Sequence, residues 1–310
     1  MAHAPTPALI RLRWLAVLAG FAATGAMAQE NAGTGAWIES LHLTATGTAA
    51  WTENLSRTSY EPTRKDAATY DFSLGGTVPR QLAPSVLLVG SGEVDAHFVP
   101  EYNLTNYTTF AGRVSLQKKF GLGAQAWVLQ GSVGAGYKAA RFAGDRGVAT
   151  EAGLQLSKRV LSNLRVAATG HWFEHDAKSS SFDLDQHSFG LEAQWDIDEH
   201  WTLSGSASRL KGDIVANAAW SVWAQAISGA FGPRIFNYYT SRPWTVTNLY
   251  GPGWVSYNVE ADVDLWSVAL AYAWTDRTSL ELRKGAAYVV NRVGVAYPTN
   301  SWALSLTQRF

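Results

Sequence analysis

The segment Trp302-Ala303-Leu304-Ser305-Leu306-Thr307-Gln308-Arg309-Phe310 sets large apolar side chains at Trp302, Leu304 and Leu306 against small or polar ones between them. Successive side chains of a β-strand point to opposite faces, so this period of two describes a strand with one greasy face and one wet face. Phe310 places a further aromatic on the greasy side, and Gln308 interrupts it where another large apolar residue would complete the row.

The same rhythm recurs upstream. Leu41, Leu43, Ala45, Gly47, Ala49 and Trp51 alternate with His42, Thr44, Thr46 and Thr48. Phe72, Leu74 and Gly76 continue the pattern, as do Val94, Ala96 and Phe98, then Val133, Ala135 and Tyr137, and later Trp266, Val268 and Leu270. About twelve such strands are predicted, each as long as the ~9–11 residues a tilted strand needs to cross a bilayer. Aromatics gather at the ends of the runs, where a bilayer's interfaces would hold them, and Leu, Val, Ala and Gly fill the middles. Links after even-numbered strands are short, as at Leu161-Ser162-Asn163 and Asp276-Arg277-Thr278. Those after odd-numbered strands are longer and polar, as at residues 54–65 and 100–106. A soluble meander has no reason to keep that asymmetry, and an even strand count lets a sheet close and abolish its edges.

The opening of the chain fits an exported protein. Arg11 and Arg13 precede an apolar run over residues 14–21, followed by Ala26-Met27-Ala28. A basic patch, a short greasy stretch and an A-x-A site predict a signal peptide over 1–28, cleaved before Gln29. The run is well short of the ~20 apolar residues of a membrane-spanning helix. Removing Arg11 and Arg13 leaves 23 of the 25 basic residues against 25 acidic ones, a near-neutral balance that argues against nucleic acid as a partner. With no cysteine, neither a disulfide nor a thiolate metal site can form. A mean hydropathy of −0.08 excludes a bundle of membrane helices. Yet the 14 Trp, 12 Tyr, 12 Phe and 28 Gly suit aromatic girdles and a smooth inner wall.

In these features the chain resembles Gram-negative outer-membrane β-barrel proteins of a generic, porin-like kind. The resemblance covers residues 29–310. It implies an all-β fold, a transmembrane antiparallel up-and-down β-barrel, with both termini on the periplasmic side. It also implies residence in the cell outer membrane, contact with outer-membrane lipid and lipopolysaccharide, and recognition of the last strand by the barrel-assembly machinery.

Residues 211–260 stand apart as a long, aromatic-rich extracellular loop. Trp220, Trp223, Tyr238, Tyr239 and Trp244 are among the many aromatics in it. Trp220, Trp223 and Ile227 at helical spacing predict an amphipathic helix over 215–231, ended at Gly232-Pro233. So much aromatic surface must be buried. It can pack on itself as a rim cap, fold into the mouth as a constriction, or contact a sugar or protein partner.

The inward positions are mostly Ser, Thr, Gly, Ala and Gln, too small to fill a barrel wider than the ~8 strands whose interior side chains just fill. A water-filled lumen is expected unless a loop plugs it. Charged candidates for its wall are Glu93, Asp95, Arg113, Glu151, Arg165, Glu192, Asp262, Asp264, Glu281 and Arg283, with Lys119 and Lys138. If Phe98 opposes Phe110, Asp95 falls opposite Arg113, either bracing the wall or selecting ions. Asp262 and Asp264 lack a basic neighbour on their own strand and would bias a lumen toward cations.

Three motifs are discounted. His171-Trp172-Phe173-Glu174-His175 matches a zinc-protease pattern as text, but that chemistry needs a helix, and residues four apart on a strand sit ~13 Å from each other. Gly134-Ala135-Gly136 imitates a dinucleotide loop without the helix that must follow. His187-Ser188 invites comparison with the outer-membrane phospholipase, but adjacent residues on a strand point opposite ways and cannot act as nucleophile and base. No metal, cofactor or enzymatic activity is therefore expected. The expected function is a passive channel for small hydrophilic solutes. The alternative is a plugged structural or adhesive barrel acting through its loop on a solute, glycan or protein.

Overall fold

The computed structural model describes residues 41–310, so the expected leader over 1–28 lies outside the described residues. The alternating runs form β1 His42–Glu53, β2 Ala67–Ala83, β3 Val86–Phe98, β4 Tyr107–Phe120, β5 Trp127–Ala140, β6 Gly147–Arg159 and β7 Leu164–Ala177. β8 Leu184–Asp196 and β9 Trp201–Ala219 follow, then α1 Trp220–Ile227, α2 Pro233–Ser241 and the short β10 Trp244–Val246. β11 Trp254–Thr275, β12 Thr278–Asn291 and β13 Thr299–Arg309 complete the chain. Each strand pairs antiparallel with the next except β9, which pairs with β11 instead of β10, and β13 returns to β1 with Ala50 opposite Ala303. The result is a closed cylinder of 12 spanning strands, with β10 added beside the end of β11.

The period of two decides which face is which. Phe72, Val94, Phe110, Val133, Leu154, Leu191, Val268 and Leu304 all project outward and are exposed. In water so continuous an apolar surface would be untenable, and in hydrocarbon it is the required one. Trp127, Trp195, Trp201 and Trp274 ring the outer face at the end carrying the short turns. Trp51 and Trp302, directly paired, help ring the other end, where Lys284 Nζ lies 5.1 Å from the Trp302 ring centre.

The turns are as tight as their residues allow. Between β8 and β9, Asp198 Oδ1 accepts hydrogen bonds from the backbone N–H groups of His200 (2.7 Å) and Trp201 (2.8 Å). At the opposite end the links over 54–66, 99–106, 141–146 and 178–183 are longer, each with a single turn of 3-10 helix. Val99 N donates to Asn106 Oδ1 at 2.8 Å inside the β3–β4 link. That link sets a register different from the expected one. Asp95 lies opposite Thr109 and Arg113 opposite Ser91, so the Asp95–Arg113 pair does not form. The offset is an even number of residues, so both side chains keep their inward face.

β9 and β11 outrun their neighbours. β8 leaves β9 at Gln186–Gly212, and β12 leaves β11 at Asn291–Ala261. At Gly212 the backbone takes φ +137°, and a Cβ there would fall 2.0 Å from the carbonyl oxygen of Asp185. No side chain fits this departure point. Beyond it residues 213–219 and 254–260 remain paired as a two-stranded ribbon. The expected long loop over 211–260 thus contracts to residues 220–253. The expected helix over 215–231 is corrected too: Ala216, Asn217 and Ala218 stay in the ladder, so α1 begins only at Trp220. Pro233, expected to end that helix, instead opens α2, where its missing N–H costs nothing.

Candidate functional site: the lumen wall and the cap across its mouth

The inner wall is chemically lopsided. On β9, β11, β13 and β1 it presents mainly Ser206, Ser267, Ala269, Ala303, Ser305 and Thr48, where Ser206 and Ser267 share a 2.8 Å hydrogen bond. The charged side chains concentrate on the arc from β2 to β8.

At the centre of that arc Arg113 of β4 and Glu151 of β6 flank Gly134 of β5 in register. Arg113 Nε donates to Glu151 Oε1 at 2.6 Å, and His171 Nε2 of β7 lies 3.3 Å from Glu151 Oε2. A Cβ on Gly134 would sit 2.6 Å from Glu151 Oε1, so the glycine is what lets the two charged groups meet across a strand. An ion pair this open to water stabilises the fold by only ~0–1 kcal/mol. Its consequence is positional, since it fixes a cation, an anion and an imidazole at one level of the lumen.

The other candidates are spread along the wall. Glu93 accepts from Ser73 Oγ at 2.6 Å, and Asp95 stands two residues further along the same face. Arg165 Nη2 reaches Ser157 Oγ at 3.5 Å, and Glu192 lies opposite Ala167 and Ser206. Across the lumen Arg283 donates from Nε (2.9 Å) and Nη2 (2.8 Å) to Glu281 Oε1. Nearer the mouth His97 contacts Asp71 and stacks on Tyr107 with ring centres 4.9 Å apart. Lys138 Nζ lies 2.7 Å from Asp145 Oδ2, and His175 Nε2 lies 3.6 Å from Asp145 Oδ1.

Asp262 and Asp264 are not on this wall. Their register places them on the face of Trp266 and Val268, opposite Lys211 and Arg209 respectively. Asp262 Oδ2 lies 3.6 Å and Asp264 Oδ1 3.7 Å from the Arg209 guanidinium, outside the barrel. Their expected place in the lumen is corrected, and the basic partners they lacked on their own strand stand on the next one.

Over the mouth lies the ribbon. One of its faces carries Ile214, Ala216, Ala218, Val255, Tyr257 and Val259, all buried against α1, α2 and the β12–β13 link. Trp223 stacks on Tyr257 with ring centres 4.6 Å apart, and Tyr239 meets Tyr257 edge to face at 5.5 Å. Tyr239 and Tyr297 share a 2.8 Å hydrogen bond between their hydroxyls, and Asn291 Nδ2 donates to both. Burial pushes the Tyr239 and Tyr297 phenols up, so both remain neutral hydrogen-bonding groups. Of the expected loop residues Trp223 and Tyr239 are core and Tyr238 is half-buried, while Trp220 and Trp244 pack on each other at the rim.

The other ribbon face, through Trp254, Val215 and Ala219, meets Leu55, Tyr102, Leu104, Phe142 and Phe182 from the four shorter loops. Tyr250 Oη donates to Leu55 O at 3.1 Å, Asn217 Nδ2 to Ser56 O at 2.8 Å and Asn258 Nδ2 to Asp183 O at 2.6 Å. These loops leave the barrel on several sides, so the ribbon and its connection lie across the opening and tie the loop tips together. Sequence reading missed this ribbon, although alternation through Ala218 and again from Trp254 is its signal.

No family model matches the chain, and no curated protein matches it. Among solved structures it is similar to an outer membrane channel from Pseudomonas putida F1, with a TM-score of 0.56 at 9% identity over 86% of this chain and 95% of that one. The NanC porin gives 0.45 at 10% identity, covering 86% of this chain and 98% of its own. Outer membrane phospholipase A from Escherichia coli gives 0.43 at 10% identity, covering 86% and 91%. The chain has the fold of an outer-membrane β-barrel.

Within the barrel the discounted motifs fall into place. His171 and His175 both point inward on β7 but turn to different partners, Glu151 and Asp145. Among the described residues no cluster suited to a metal ion is present. Gly134 and Gly136 are interior to β5. His187 faces outward opposite Lys211, and Ser188 faces inward opposite His171.

Proposed function

We propose that this protein is an outer-membrane channel through which small hydrophilic solutes diffuse, sieved by the cap and by the charged arc below it. The observation that carries this reading is the lopsided wall: small hydroxyl and methyl groups dominate the side from β9 to β1, interrupted by the Arg283–Glu281 pair of β12, and leave room for water, while charges are denser on the other. The loop end is then extracellular and the turn end periplasmic. The outward apolar face lies in lipid, and lipopolysaccharide surrounds the charged belt of Arg209, Lys211, Asp262 and Asp264. The last strand, β13, would be the segment read by the assembly machinery. The cap acts as a constriction at the entrance, combining two of the roles expected for the long loop.

A non-enzymatic wall fits this reading. Ser188 sits in the middle of a strand whose backbone donors are used in the ladders to β7 and β9, so no backbone oxyanion hole lies beside it. Planar-bilayer recording of the purified protein tests the proposal. Discrete conductance steps that grow when residues 220–243 are replaced by a short linker support it. Silence from both proteins favours the plugged, structural barrel instead.

A further inference from the structure

The outer wall carries a depression at the periplasmic end of β6–β9. Two cross-strand rows make it. Leu156, Ala168, Leu191 and Ala207 form one, and Lys158, Val166, Ala193 and Gly205 the next. Ala168, Ala193, Gly205 and Ala207 supply a floor of small side chains, while Trp127, Leu156 and Leu191 stand above it as the rim. The cavity measures about 560 Å³ and is lined almost wholly by apolar groups. It spans three strand spacings of ~4.8 Å, roughly 14 Å in all, the dimension of a chain rather than of a methyl group.

One charge adjoins it. Lys158 points outward, and its Nζ lies 5.0 Å from the Trp127 ring centre. Trp127 belongs to the aromatic girdle at the turn end and lines the groove, so this ammonium sits at headgroup level beside it. Its row neighbours on the same face, Val166, Ala193 and Gly205, carry no counter-charge.

We infer that this groove is a binding site for one anionic phospholipid of the periplasmic leaflet, an acyl chain lying over Ala168, Ala193 and Gly205 and the phosphate on Lys158. The inference rests on the outer-membrane reading above. An apolar trough with a cation at its interfacial end matches a molecule with one chain-bearing body and one anionic head. A second copy of this barrel would bring only another apolar wall to the same cation.

Native mass spectrometry of the detergent-purified protein, with phosphatidylglycerol or phosphatidylcholine added, tests it. The wild-type protein should retain one phosphatidylglycerol in preference to phosphatidylcholine. Lys158→Gln should lower that preference about fivefold, the worth of one basic residue at a charged lipid surface. The double substitution Ala193→Leu with Gly205→Leu should fill the trough and abolish retention of either lipid. A Cβ at Gly205 meets only Ser267 O, at 3.8 Å, so the backbone accepts the change. An unchanged preference in Lys158→Gln, or unchanged retention in the filled variant, would overturn the inference. So would a dimer that the filled variant turns into a monomer, because the groove would then be a subunit interface. Folded protein that stays soluble without detergent would instead sink the outer-membrane reading itself.

Discussion

Tyr102 and Tyr250 meet edge to face with ring centres 5.1 Å apart. Tyr102 belongs to the β3–β4 loop and Tyr250 to the β9–β11 connection, which leave the closed ring on opposite sides. Two groups so placed can touch only if one of them crosses the opening. Their contact is therefore a direct measure of whether the mouth is covered.

Breaking that contact should open the mouth without harming the barrel. Tyr250→Ala removes the ring and the hydrogen bond to Leu55, and with Tyr102→Ala it frees the tip of the connection. Single-channel conductance is expected to rise in the double variant while thermal unfolding of the strands changes little. Trp223→Ala acts deeper, emptying the centre of the aromatic cluster, and should destabilise the cap by about 3–5 kcal/mol. Proteolysis between α1 and α2 in the folded protein would report that loss. Equal protection in wild type and Trp223→Ala would contradict the packing described.

The strands were largely legible in the sequence, because a side chain that must face either lipid or water declares itself every second residue. Register was not. Nothing in the alternation of β3 and β4 says how many residues their loop consumes, and Asn106, which caps Val99, settled it four residues away from the expected pairing. Asp262 and Asp264 are a different matter. Their parity with Trp266 and Val268 already placed them outward, and charge on an apolar face is explained only by strands that rise above the membrane. The ribbon was hidden for another reason: both of its faces are packed, so apolar residues stand at both parities of residues 213–219 and blur the alternation. The Arg113–Glu151 pair was invisible because it spans a strand, through a glycine that no pairwise pattern singles out.

That pair sets the expected ion selectivity. Glu151→Gln removes one negative charge from the level of Arg113 and His171, so the reversal potential in a salt gradient should shift toward anions. Gly134→Ala separates the pair, because its methyl group occupies the space of Glu151 Oε1, but keeps both charges on the wall, so its reversal potential should stay close to that of wild type. A reversal potential in Glu151→Gln identical to that of wild type would show that ions do not pass this level of the wall.

Asp262→Asn with Asp264→Asn provides the contrast. Both carboxylates face away from the lumen and toward Arg209 and Lys211, so the double substitution should leave conductance and selectivity as they are. A loss of cation preference in this variant would place the two residues in the ion path and contradict the register of β9 with β11.

Asp198 supplies a pH-dependent test of the turn that starts β9. The backbone N–H groups of His200 and Trp201 bind its ionised form and hold its carboxyl below the usual carboxylate range. A group whose folded pKa is depressed adds stability above its unfolded value, ~3.9 for an aspartate, and loses it as the pH falls through the folded one. Thermal unfolding in detergent should therefore separate wild type from Asp198→Ala at pH 6, with wild type the more stable. The gap should close as the pH is lowered below the unfolded value of aspartate. A gap that persists unchanged at pH 2.5 would mean that the ionised carboxylate is not what holds the turn, and that the loss in the variant comes from the altered backbone alone.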